Sequence, residues 1–147
     1  MSADERAKEV ARAIWAKDSA SKFLGMQIDE VLEGQALLSL EVQEHHCNGH
    51  RICHGGIIFS LADSAFAFAC NSRNQSTVAH HNMISFVTPA FAGDRLLATA
   101  HETNLSGRNG IYDVQVVNQD GKTIAEMRGL SRAIKGTILD DETGKKG

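Results

Sequence analysis

Apolar and polar positions along this chain alternate with two periods, one helical and one of strands. In residues 2–18, Ala3, Ala7, Val10, Ala11 and Ile14 recur on one helical face, while Glu5, Arg12 and Lys17 lie largely off it. Ser2 and Glu5 have capping-box spacing, so a helix is predicted to begin there and pack over a sheet. Gly25 ends that pattern. Residues 26–32 and 36–44 flank Glu33-Gly34 as a β-hairpin would, with Leu38, Leu40 and Val42 alternating with Ser39, Glu41 and Gln43. Residues 45–53 read as a polar loop. Residues 78–87 read as a strand with a polar middle, His80-His81-Asn82, closed off by Pro89, the only proline. Strands are predicted over 94–104, 111–118 and 123–134, with Tyr112, Val114 and Val116 sharing a face. A turn over 106–110 and the Asp-Gly turn over 119–122 join them. From Lys135 the chain turns polar and is expected to fray.

One stretch fits neither a strand nor an amphipathic helix. From His54 to Asn71 the chain reads HGGIIFSLADSAFAFACN, apolar nearly all the way round a helix. Its polar interruptions before Cys70 are Ser60, Asp63 and Ser64, which fall on one stripe. The predicted fold is therefore α+β: an antiparallel sheet of about six strands around one long central helix, plus a short N-terminal helix. Residues 1–137 form the expected domain and 138–147 the polar tail. A sheet this small cannot cover a helix that is apolar on all sides, so association is expected to finish the burial.

Composition narrows the function. A net charge of −3 and a pI near 6.1 give no footprint for nucleic acid or an anionic membrane. No long unbroken apolar run predicts a membrane span. The charged N-terminus lacks an apolar signal core, so export is not expected and a cytoplasmic setting is. Three cysteines, Cys47, Cys53 and Cys70, cannot all pair within one chain and are read as free thiols.

Candidate chemistry gathers at the central helix. His54-Gly55-Gly56 opens it, where unpaired N–H groups and the positive end of the helix dipole can polarise a carbonyl oxygen. Asp63 is a lone carboxylate in a largely apolar helix, suited to act as general base or nucleophile. The two sit about 10–12 Å apart along the axis, too far for one carbonyl carbon, and a two-fold dimer is the remedy. A structural carboxylate bonded to Ser60, Ser64 or nearby backbone is the alternative for Asp63. Asn48, just before the helix, is a candidate to hold a carbonyl or a water, or simply to make a local Asx turn. His45, His46, Cys47, His50, Cys53 and His54 are dense in metal-ligating types. Cys47 and Cys53 are spaced more widely than zinc pairs, however, and only His80-His81 lie downstream. Adjacent Cys53 and His54 make a poor nucleophile pair. Arg108, Arg132 and Lys135 supply positive charge for a phosphorylated ligand or for solvent.

These residues form recognisable blocks. Asn48-Gly49-His50, Cys53-His54-Gly55-Gly56, Phe59 to Asp63, and Ala69 to Ser72 resemble the hotdog-fold acyl-CoA thioesterases, in particular the phenylacetic acid degradation (PaaI-like) branch. Phe91 to Asp94, Gly110 to Val114 and Val117 to Gln119 extend the likeness over roughly residues 20–137. The resemblance implies a homodimer with a joined sheet, paired again into a homotetramer, with active sites between subunits and no metal or other cofactor. It implies that Asp63 activates water or attacks the thioester, that the Gly55 amide polarises the carbonyl, and that His54 and Asn48 orient substrate or water. Gly56, Ser64, His80, His81, Arg108 and Asn109 are the expected substrate and CoA contacts, with Arg108 near the nucleotide phosphates. The expected reaction is hydrolysis of a small aryl-acetyl-type acyl-CoA; a module that binds acyl-CoA without turnover is the alternative. Members often carry a small hydroxyl residue near His80 and an acid near Ser85. The two imidazoles here are expected to shift the carboxylate's pKa or narrow the acyl pocket.

Overall fold

The computed structural model describes residues 1–140. Helix α1 (Ala3–Lys17) starts at the predicted cap, where Ser2 Oγ accepts the Glu5 N–H at 3.1 Å. It buries Ala7, Val10 and Ala11. A five-residue helix α2 (Ser19–Phe23) follows, which the hydrophobic pattern did not announce because its one buried residue is a serine. Its cap is Asp18, which accepts the Ser21 N–H at 2.9 Å and the Ser21 hydroxyl at 2.7 Å. The hairpin β1 (Gln27–Leu32) and β2 (Gln35–Glu41) forms, its second strand ending at Glu41 rather than at Glu44, where a 3-10 turn, Glu44–His46, opens the loop before α3 (Gly55–Cys70). Then come β3 (Thr77–Phe86), β4 (Arg95–Ser106), β5 (Asn109–Val117) and β6 (Thr123–Ala133).

The described residues form one antiparallel six-stranded sheet in the order β1-β2-β4-β5-β6-β3, curved around α3. This is the hotdog architecture expected from the sequence. Ile58, Leu61, Ala62, Ala65, Phe66, Phe68 and Ala69 of α3 are buried. They pack in one core with Leu38, Leu40, Tyr112, Val114, Val116, Ile124 and Met127 from the strands. The helix is apolar nearly all round because the sheet wraps most of it. Its partly uncovered stripe is Gly56, Phe59, Ser60, Asp63, Ser64 and Ala67. One strand position is cut away to admit the helix. A Cβ on Gly129 would stand 2.6 Å from Phe66 Cε2.

Two readings of the chain need correction. The turn predicted over 106–110 is tighter, since Ser106 pairs with Asn109 and only Gly107 and Arg108 lie between. Gly107, at φ 59°, supplies the left-handed first position that such a two-residue hairpin turn needs. The fraying expected from Lys135 does not begin there. Gly136 O accepts the Ser76 N–H at 3.0 Å, and Asn74 Oδ1 accepts the N–H groups of Ile138 and Leu139 at 3.0 and 2.7 Å. The rest of the proposed tail, 141–147, lies outside the described residues.

Strand β3 is an edge strand beside α3. It hydrogen-bonds only to β6 and ends the sheet. It leaves Val78, Met83 and Phe86 exposed at 45%, 65% and 54%. A ten-residue edge strand with apolar side chains in the open is a template for pairing with another strand.

Candidate active site

The loop before α3 is built from its own side chains. Asn48 Oδ1 accepts the N–H groups of His50 and Ile52 at 2.9 and 3.3 Å, which is the Asx turn weighed above. That use leaves the Asn48 amide N–H groups to donate elsewhere. His46 is buried, and its Nδ1 accepts the Gln43 N–H at 2.9 Å. Burial, with His45 adjacent, lowers its pKa. His46 O accepts the His54 N–H at 2.9 Å, which closes the loop onto the helix entrance.

His54 caps α3. Its Nδ1 accepts the Gly56 N–H at 2.9 Å, so its proton is on Nε2 and its ring faces solvent. The Gly56 amide is thereby occupied, and the Gly55 N–H in the same first turn is left open at the positive end of the dipole. A cleft of about 320 Å³ lies at this end, lined by Asn48, Cys53, Gly55, Phe86 and Thr88 among others. The Phe86 ring packs so closely that a Cβ on Gly55 would stand 3.1 Å from Phe86 Cζ.

Asp63 is two turns further along. Its Oδ1 accepts a hydrogen bond from Asn82 Nδ2 at 2.9 Å, and neither Ser60 nor Ser64 bonds it. Burial raises its pKa, and the Asn82 hydrogen bond works against that rise. The expected influence of His80 and His81 on this carboxylate is not what the geometry gives. Both imidazoles are exposed, His80 as the unpaired residue of a bulge between Ala79 and His81, and the neighbour that reaches Asp63 is Asn82. Asn82 is the residue the chain reading left out of the site. Its signal was there, as one of the three side chains His80-His81-Asn82 that make the middle of the strand polar.

The remaining candidates scatter. Ser64 bonds Ser21 at 2.9 Å and ties α2 to α3. Ser60 bonds its own helix at Gly56 O. Arg108 and Lys135 line a cleft of about 490 Å³ with Gln75 and Ile134. Asn109 Oδ1 accepts from Arg132 at 3.3 Å. Burial pushes the Cys53 thiol up to about 12, which argues against a standing thiolate there that would attack a thioester. Among the described residues no three His, Cys, Asp or Glu side chains converge as metal ligands.

Strand and helix run together over the site. The eight steps along α3 from Gly55 to Asp63 span about 12 Å, and the four steps along β3 from Phe86 to Asn82 span about 13 Å. Phe86 therefore touches Gly55 at one end while Asn82 touches Asp63 at the other.

The fold is shared with known proteins. The thioesterase superfamily model matches residues 50–125. The acyl-coenzyme A thioesterase PaaI of Escherichia coli is 45% identical over 136 residues, 92% of this chain and 97% of its own length. The solved structure of the Escherichia coli PaaI protein superposes with a TM-score of 0.91 at 44% identity, covering 92% of this chain and 99% of that one. A substituted form of the phenylacetic acid degradation protein PaaI of Thermus thermophilus gives 0.77 at 37% identity, covering 80% of this chain and 100% of that one.

Proposed function

The chain belongs to the thioesterase superfamily, and from that premise we propose that it hydrolyses a small aryl-acetyl-type acyl-CoA to the free acid and CoA at a site shared by two copies. The observation that carries this reading is the split of the site. The open Gly55 amide and the Asp63 carboxylate lie too far apart on one helix to serve one thioester.

A second copy resolves the split through β3. Pairing two β3 edges antiparallel about a two-fold axis near Ile84 sets Asn82 of one copy opposite Phe86 of the other. The contacts already described then bring Asp63 of one copy beside Gly55 of the other. The exposed apolar edge supports such pairing. Further association of dimers into a tetramer belongs to the same proposal.

In the assembled site the thioester carbonyl oxygen accepts from the Gly55 N–H, with the Asn48 amide as a second donor and His54 Nε2–H at the rim. Asp63 of the facing copy takes a proton from water as the oxygen of that water adds to the carbonyl carbon. The tetrahedral intermediate collapses, the C–S bond breaks, and Asp63 returns the proton to the leaving CoA sulfur. The cleft of Arg108 and Lys135, with Asn109 nearby, offers positive charge to the CoA phosphates. A cytoplasmic setting fits a CoA thioester as substrate.

The test is thiol release from phenylacetyl-CoA beside short aliphatic acyl-CoAs. Hydrolysis with preference for the aryl-acetyl thioester is expected. Tight CoA binding with no turnover of any thioester would replace this reading with a binding module.

Two variants probe the arrangement. Asn82→Ala removes the donor that opposes burial at Asp63, so the carboxyl's pKa rises further and the acid limb of the kcat/KM profile moves to higher pH. An unmoved acid limb would separate Asn82 from the reacting carboxylate. Met83→Glu with Ser85→Glu places carboxylates opposite carboxylates across the two-fold axis, on side chains exposed in one copy. A folded monomer by sedimentation, with turnover lowered about 10²–10³-fold, is expected because it loses the donor-to-base pairing. Full turnover by a monomer would end the shared-site proposal.

A further inference from the structure

Cys47 and Cys53 lie directly opposite each other in an isolated antiparallel bridge across the loop that carries Asn48. The flanking hydrogen bonds define the type of pair. Asn48 N–H donates to Ile52 O at 2.9 Å, and His54 N–H donates to His46 O at 2.9 Å. Neither cysteine's own backbone bonds the other, so this is the non-hydrogen-bonded position of an antiparallel ladder. At that position Cα atoms sit about 4.5 Å apart with side chains on the same side, inside the span of about 4.4–6.8 Å that a disulfide bridges.

We propose that Cys47 and Cys53 are a modification site: a dithiol pair that closes to an intramolecular disulfide on exchange with a low-molecular-weight disulfide and reopens with a thiol reductant. Each thiol is held in the reduced protein only by a weak contact. Cys47 Sγ–H donates to Gln43 O at 3.5 Å and Cys53 Sγ–H to His54 O at 3.8 Å. Cys47 is partly exposed and Cys53 buried, which orders the steps. Cys47 loses its proton to solvent and its sulfur attacks one sulfur of the small disulfide, forming a mixed disulfide and releasing one small thiol. Cys53 then loses its proton and attacks Cys47 Sγ, releasing the second small thiol. Two protein thiols are oxidised by two electrons and one small disulfide is reduced to two thiols. Burial makes Cys53 reluctant to ionise, and the fixed opposition across the ladder is what favours the second step. Cys70, buried on α3 and bonded to Ala67 O, takes no part.

The closed form would clip the loop of residues 48–52 at its base, beside the Asn48 and Gly55 positions of the cleft. The proposal itself rests on ladder geometry and stands apart from the thioesterase reading. The test incubates the native protein with oxidised glutathione, then denatures it, counts thiols and maps them by alkylation and trypsin. The thiol count should fall from three to one. Cleavage after Arg51 and Arg73 should leave peptide 23–51, with Cys47, joined to peptide 52–73, which holds both other cysteines; fragmentation of the joined pair should place the alkyl group on Cys70 and the link on Cys53, and dithiothreitol should restore all three thiols. Cys47→Ser should abolish the linkage, and Cys53→Ser should stop at a mixed disulfide on Cys47. Glutathione on Cys47 and Cys53 separately, both thiols still free, or a link joining two chains would each overturn the proposal.

Discussion

Asp63→Asn should remove catalysis while leaving the fold as stable as, or more stable than, the parent. The fall in kcat is expected to be about 10²–10⁴-fold, the range that a positioned acid–base group supplies. The stability part follows from the carboxyl's environment. Burial holds its pKa above the ordinary carboxylate value, so the folded state resists ionising a group that the unfolded chain ionises freely. Below the ordinary value both states are protonated and the group costs nothing. As pH rises through the ordinary value the unfolded chain loses its proton first, and stability falls until the folded group has ionised too. The asparagine variant escapes that loss. Its stability relative to the parent should therefore grow across that window and level off above it. Denaturant midpoints against pH, beside turnover, check both halves. A folded variant with near-parental turnover would remove Asp63 from the mechanism, and a large loss of stability at neutral pH would make it a structural carboxylate.

Gly129→Ala should be the most damaging single methyl in the sheet. The new Cβ would stand 2.6 Å from Phe66 Cε2 and 2.8 Å from Cδ2 and Cζ. Neither side can give way easily. Gly129 is paired on both sides, with Asn82 in β3 and Tyr112 in β5. Phe66 is fully buried, with its ring 5.4 Å from that of Tyr112. Overpacking of this kind costs about 3 kcal/mol, or roughly 6–12 °C of melting temperature in a domain of this size. Thermal unfolding of the variant measures it. Because Asn82 pairs with this position, the Asp63–Asn82 contact should loosen as well, and a double variant with Phe66→Leu should recover part of the stability.

Much of the fold was legible because local spacing carries it. The buried helix, its polar stripe, the six strands and the capped N-terminal helix all follow from the period of apolar residues and from turn and cap chemistry within a few residues. Helix α2 escaped because it is held by Asp18, Ser21 and Ser64, three polar side chains that leave no apolar period. The ordering of residues 136–139 escaped for a similar reason, since Asn74 secures Ile138 and Leu139 from more than sixty residues away.

By itself the sequence determined the cast: a helix enclosed by a sheet, an open glycine amide at its start, and one carboxylate two turns on. Only the tertiary structure decided who meets whom. It sends β3 to the far edge of the sheet, so Asn82 rather than a serine or an imidazole reaches Asp63, and Phe86 lies on Gly55. It also faces Cys47 with Cys53 across a loop. The reason is physical. Helix periods, caps and turns are set by neighbours in sequence, whereas strand pairing is set by backbone hydrogen bonds that look alike at every register and are chosen by whatever buries the whole core best.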